Sequence, residues 1–193
     1  MLRPEYIIIH HSLTQDSGTV SWGAIRKHHT DPAGPYRFQS IGYHWGLELV
    51  GDYYEILVGR TMEEEGAHCQ EAGMNRRGVG VCCVGNFDLA PPSEAQLMAL
   101  ARLVTWLMTE LNIPQDKVIG HRDAGLMTGF DWRVGQYKTC PGRTFDLEAF
   151  RKLLPPFTKS DVGEVTGPAG AGLRWKRHLA ASGRRAGHDP RGQ

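Results

Sequence analysis

The sequence predicts an α/β fold, with one domain over residues 1–157 and a basic Gly- and Ala-rich tail, read as flexible, over residues 158–193. Three observations predict it. Short runs of β-branched, aromatic and apolar residues, such as residues 6–10 (YIIIH) and 79–84 (VGVCCV), have the length and composition of buried strands. Stretches with helical apolar spacing and recognisable caps lie between and after them, the clearest over residues 93–111. Beyond Pro155 and Pro156, which stop the last helix, no sustained period remains.

Taken in order, residues 6–10 read as a central strand bounded by Pro4 and by Ser12 and Thr14. Successive strand residues point to opposite faces, so only one of His10 and His11 can face a given ligand. Residues 21–29 (SWGAIRKHH) form a short helix capped by Ser21, with Trp22 and Ile25 on one side and His28 and His29 at its negative end. Residues 31–40 are turn-rich. Residues 41–50 and 53–58 read as two strands joined by a tight Gly51-Asp52 turn. Alternation there puts Tyr43, Trp45, Leu47 and Leu49 on one face and His44, Gly46 and Glu48 on the other.

Residues 66–77 (GAHCQEAGMNRR) read as a polar loop whose His68 and Asn75 are able to contact a polar ligand. In 79–84, Cys82 and Cys83 point opposite ways and read as buried free thiols. Residues 93–111 carry a Ser93–Gln96 capping box, and Leu97, Leu100, Val104, Leu107, Met108 and Leu111 make one apolar face. Val118 and Ile119 read as a strand leading straight to His121, followed by a long loop with three glycines that ends at Lys138, Thr139, Cys140 and Pro141. So long a loop inside a compact domain points to function. Residues 146–154 form the last helix, capped by Asp146.

Composition excludes more than it names. The formal net charge is +1, which gives no bulk attraction for nucleic acid, and the tail's seven Lys and Arg against three Asp and Glu leave the domain slightly acidic. The tail is thereby a candidate contact for an anionic wall or membrane surface. No apolar run reaches the roughly 18 residues of a membrane span. The first residues lack the basic, apolar and cleavage-site pattern of a signal peptide, which gives the expectation of a chain that is cytoplasmic as synthesised. Four cysteines in such a chain suit metal binding or burial better than disulfides. Strand-end His10, post-strand His121 and loop Cys140 then offer two imidazoles and a thiolate, a donor set for one catalytic zinc ion with a vacant fourth position.

Five short motifs, IIIHHS at 7–12, IGYHW at 41–45, GAHC at 66–69, IGHRD at 119–123 and KTCPG at 138–142, occur in one order that resembles the type 2 N-acetylmuramoyl-L-alanine amidase family, which includes phage lytic amidases and the peptidoglycan recognition proteins. The likeness spans about residues 6–154. It implies a central mixed β-sheet flanked by helices, with a zinc site in a surface groove. It also implies His10, His121 and Cys140 as ligands of one zinc ion, Tyr43 as a catalytic tyrosine beside the attacking water, and Lys138 as the catalytic lysine of the phage enzymes. The implied substrate is peptidoglycan or a muropeptide, cut at the amide between N-acetylmuramic acid and L-alanine, by a chain read as a monomer. The implied zinc would supply hydroxide at neutral pH, and Lys138 would stabilise the oxyanion. Asp123 is open between orienting a ligand and pairing with Arg122.

One departure matters. The cytoplasmic recycling branch of the family is expected to use an acidic third ligand and an acidic base on a central strand, whereas this chain has Cys140 and no carboxylate in VGVCCV. The pattern therefore favours a phage- or prophage-type wall-lytic enzyme and leaves the general base unnamed. The competing expectations are a non-catalytic peptidoglycan-binding module and a structural zinc domain, the latter needing a fourth protein ligand such as His11 or His44.

Overall fold

A computed structural model describes residues 2–14 and 21–156; the expected tail lies outside the described residues. The sheet is built around the first apolar run. Strand β1 (Tyr6–His11) is buried along its whole length, because it pairs in parallel with β4 (Gly78–Cys83) on one side and with β5 (Val118–Gly120) on the other. Strand β2 (Trp45–Val50) adds in parallel to β4, and β3 (Tyr53–Val58) closes the order β3-β2-β4-β1-β5 as an antiparallel edge. The sheet is mixed, as the family resemblance implied. The β2–β3 turn is the expected Gly51-Asp52 pair, with Gly51 at φ 60°, which a glycine adopts without steric penalty.

Helices cover both faces. Ile7, Ile9, Leu47, Val79 and Val81 face helix α3 (Glu94–Leu111) and helix α5 (Leu147–Leu153) in the larger core. Ile8, Ile119 and Cys82 face α1 (Trp22–Thr30), the short α2 (Met74–Arg77) and α4 (His121–Met127). The three expected caps are present: Ser21, Ser93 and Asp146 accept the N–H groups of Ala24, Gln96 and Ala149. Only half of the Ser93–Gln96 box forms, because the Gln96 amide donates instead to the buried carbonyl of Val84 at 2.9 Å.

Three expectations need correction. Residues 121–127 are helical rather than loop. The helix is two turns long and contains Gly125, which lies against the Tyr137 ring where a side chain has no room; so short and glycine-bearing a segment shows little periodicity. Residues 66–77 include a 3₁₀ turn (Glu71–Gly73) and α2 rather than pure loop. Strand pairing in the first hairpin begins at Trp45, so the alternation expected to place Tyr43 with Trp45 and Leu47 does not reach it. Tyr43 lies instead on the opposite face, its ring 5.1 Å from that of His10. All four cysteines are free and buried.

Candidate metal centre

The carboxyl ends of the parallel strands β1 and β5 meet at the rim of a pocket of about 870 Å³, the position where open α/β sheets place ligands. His10 ends β1 on the α1/α4 side. His121 opens α4 immediately after β5. Cys140 arrives on the turn after the 3₁₀ segment Trp132–Val134. His10, His121 and Cys140 place one donor atom each within 4.8 Å of the others, and all three residues are buried. The two Nδ1 atoms are 3.1 Å apart, and the Cys140 Sγ is 3.6 Å from the Nδ1 of His10.

The outer ring nitrogens explain why these inner atoms present lone pairs. The Nε2–H of His68 donates to the Gly78 carbonyl (3.2 Å), which leaves its Nδ1 to accept from Nε2 of His10 at 3.0 Å. That chain puts the proton of His10 on Nε2 and bares its Nδ1. The Nε2 of His121 faces the Glu71 carboxylate at 3.2 Å and the Tyr137 hydroxyl at 3.1 Å, so its Nδ1 is bare as well. Burial holds both imidazoles neutral. His10 is pushed well below the ordinary histidine value by burial and by His121 and His68. His121 is pushed to about 4 by burial and by the positive charge of Lys138, against the pull of Glu71. Glu71 stays charged: burial opposes it, but hydrogen bonds from Tyr137, its own backbone and His121 outweigh burial and bring it to about 2.

The two inner Nδ1 atoms and the sulfur lie close enough to share one cation, and without one the neutral Cys140 thiol can donate its proton to Nδ1 of His10. Tetrahedral zinc with Zn–N near 2.05 Å and Zn–S near 2.3 Å has donor–donor edges of about 3.3 and about 3.6 Å. The observed 3.1 and 3.6 Å fit it. Burial pushes the Cys140 thiol up to about 12, although the His11 N–H, Lys138 and Arg122 pull it down. A metal ion bound at these atoms would displace that proton and leave a thiolate.

The other candidates fall as follows. Tyr43 lines the pocket; burial first and the neighbouring thiols second hold its phenol well above the ordinary tyrosine value, so it remains a neutral hydroxyl, hydrogen-bonded to Cys82. Lys138 lines the pocket too, with Nζ 5.1 Å from the centre of the Tyr137 ring. His68 and Asn75 are at the wall. Both ring nitrogens of His68 are engaged, and the side-chain Oδ1 of Asn75 accepts the N–H groups of His68 and Cys69 at 2.7 and 2.8 Å. Asn75 therefore shapes the loop that carries His68. Both offered fourth ligands are engaged elsewhere: His11 Nδ1 accepts from Phe87 N at 3.1 Å, and the nitrogens of His44 bond Gly80 N and the Glu64 carbonyl. Asp123 caps α4 through Gly120 N at 2.8 Å, and Arg122 donates to the carbonyls of Gly142 and Phe145. Sequence reasoning missed Glu71 and Tyr137; a carboxylate three residues after His68 was the available signal.

A family model described as N-acetylmuramoyl-L-alanine amidase matches residues 1–143. Among solved structures, the chain is similar to the N-acetylmuramoyl-L-alanine amidase LysC from Clostridium intestinale URNW, with 23% identity, TM-score 0.59, and 78% of this chain and 85% of that one covered. It is similar to bumblebee PGRP-SA, with 27% identity, TM-score 0.56 and coverage of 77% and 81%. It is also similar to wild-type Drosophila PGRP-LB, with 23% identity, TM-score 0.58 and coverage of 82% and 87%. At these identities the likeness to LysC and PGRP-LB is one of fold. No curated protein is a significant match.

Proposed function

This chain belongs to the N-acetylmuramoyl-L-alanine amidase family, and we propose from that premise that it is a zinc-dependent amidase hydrolysing the bond between N-acetylmuramic acid and L-alanine of peptidoglycan. The observation that carries the reading is the pair of bare Nδ1 atoms facing the Cys140 sulfur at the rim of a large open pocket. His10, His121 and Cys140 would hold the ion. When bound, zinc supplies a nucleophilic hydroxide at neutral pH and polarises the amide carbonyl.

The chain's own groups do the rest. His68 and Glu71 keep the two ligand rings in one tautomer and one orientation. Lys138 offers a positive charge on the pocket wall to the oxygen on which negative charge develops. Tyr43, kept neutral by burial, orients the attacking water. The pocket has two unlike walls. Tyr36, Phe38 and His29 form an aromatic side, with rings 5.2 to 5.7 Å apart, while Lys138, Glu71 and Asn75 form a polar one. That contrast suits a substrate with a sugar at one end and an acidic peptide at the other.

The role assigned is wall lysis of the phage-endolysin kind, by a chain that is cytoplasmic as synthesised. Cys140 and Lys138, and the lack of any carboxylate in β4, support it over muropeptide recycling. The purified protein, loaded with zinc and given peptidoglycan, is expected to release new L-alanine N-termini without new reducing sugar ends. Reducing ends alone would indicate a glycosidase. Tight muropeptide binding without zinc or cleavage would make the chain a binding module.

A further inference from the structure

We infer that Asp88 is a positioning residue for Cys140: it grips the cysteine turn from both sides and sets where the sulfur stands. The segment after β4 reaches across to the turn over residues 139–145. Asp88 Oδ2 accepts the Thr139 hydroxyl at 2.7 Å, and Oδ1 accepts the Arg143 N–H at 2.8 Å. The two bonds straddle Cys140. Beside them the Phe87 carbonyl accepts Thr144 N at 2.8 Å, and Gly142 lies so close to the Phe87 backbone that a side chain there has no space.

The gripping segment is itself anchored. Phe87 N donates to Nδ1 of His11 at 3.1 Å, Gly85 N to the Ser12 hydroxyl at 3.0 Å, Asp88 N to the Asn86 side chain at 3.1 Å, and the Gln96 amide to the Val84 carbonyl. The adjacent histidines of β1 thus have separate tasks. His10 contributes a donor atom, and His11, on the other face, ties down the segment that carries Asp88. Arg122 completes the hold from behind: its N–H donates to the Cys140 carbonyl at 2.7 Å and its guanidinium to those of Gly142 and Phe145. Phe145 anchors the far end of the turn in the core, and at its near end Asp88 supplies two of the hydrogen bonds that hold the backbone on either side of Cys140. Asp88 stays a carboxylate for this purpose: burial opposes the charge, but Thr139 and the Arg143 N–H hold it below the usual carboxylate range.

The test uses the metal-free full-length protein. Thiol alkylation is followed cysteine by cysteine by mass spectrometry, with Cys69, Cys82 and Cys83 as internal standards. In Asp88→Ala, Cys140 is expected to react at least tenfold faster while the other three keep their rates. Thr139→Val, which leaves only the Arg143 bond, is expected to fall between; it also decides the matter if the alanine variant does not fold. A Cys140 rate within twofold of wild type in these variants would overturn the inference. So would a common rise at all four cysteines, which marks general loosening. The consequence for zinc rests on the proposed function: affinity should fall roughly 10- to 100-fold. If the wild type binds no zinc, that reading fails while the alkylation rates still decide the role of Asp88.

Discussion

A neutral imidazole has one donor nitrogen and one acceptor, so what it can hold on one side is decided by what grips the other. At His121 that grip is Glu71, with Tyr137 beside it. Glu71→Ala frees the ring to turn and to change tautomer, and is expected to weaken zinc binding roughly 10- to 100-fold, read by competition with a chromogenic chelator. Lys138 makes a different prediction. Lys138→Met should leave zinc content unchanged and lower kcat by about 10²- to 10³-fold, the range for losing one oxyanion donor. A rise in KM alone would instead assign Lys138 to ground-state binding. Residues of this scale were unevenly legible. His10, His121, Cys140, Tyr43 and Lys138 stand in short motifs with fixed chemistry, and the structure brings all five to one pocket. Glu71 was not legible as a partner, because what joins it to His121 is the packing of α4 against the 3₁₀ turn, and Tyr137 and the Gly78 carbonyl reach their histidines only through the tertiary fold.

Among the elements, β4 shows how backbone economy serves the site. Its run reads as a buried strand, and it is one. What the run hides is the reason for Gly80: the His68 ring lies over it, and a Cβ built there would stand 2.6 Å from the ring's Cδ2. Gly80→Ala must displace a buried ring that carries the hydrogen bond to His10. The expected loss is about 1–3 kcal/mol of stability, as for other overpacked sites, measured by urea unfolding and accompanied by weaker zinc binding. A stability loss with unchanged zinc affinity would separate His68 from the support of His10. The long elements were readable because period and caps agree, as in α3. The short ones were not. Helix α4 has two turns and a glycine demanded by Tyr137, and Tyr43 precedes the first ladder pair, so neither period nor parity could place them.

For the molecule as a whole, the site is one part of a larger pattern, in which six histidines among the described residues are taken out of water: His10, His11, His29, His44, His68 and His121. Burial is the leading cause in each, and each is held below its ordinary value, His29 and His121 near 4. His29 is typical. Its Nδ1 accepts the Gly42 N–H at 3.0 Å, the rings of Tyr36, Phe38 and Tyr43 surround it, and His28 and Arg60 add repulsion against a proton. A base whose value falls on folding is protonated more readily in the unfolded chain. Stability is therefore full above about pH 6.5 and is lost as pH falls from there toward 4, at up to about 1.4 kcal/mol per pH unit for each such group. Carboxylates lowered by folding, such as Glu5 beside Arg77, act in a separate window below about pH 4.5. With a domain's total of about 5–15 kcal/mol, several histidines acting together should unfold the metal-free protein within a unit or two below pH 6.5. Urea titrations of chelator-treated protein between pH 7.5 and 5 are expected to show stability falling with a slope of three or more protons. His29→Gln, which can still accept the Gly42 N–H but does not titrate, should remove close to one proton from that slope. A flat profile down to pH 5.5 would mean that these rings carry their protons in the folded state, and the tautomer chain that bares Nδ1 of His10 would go with it.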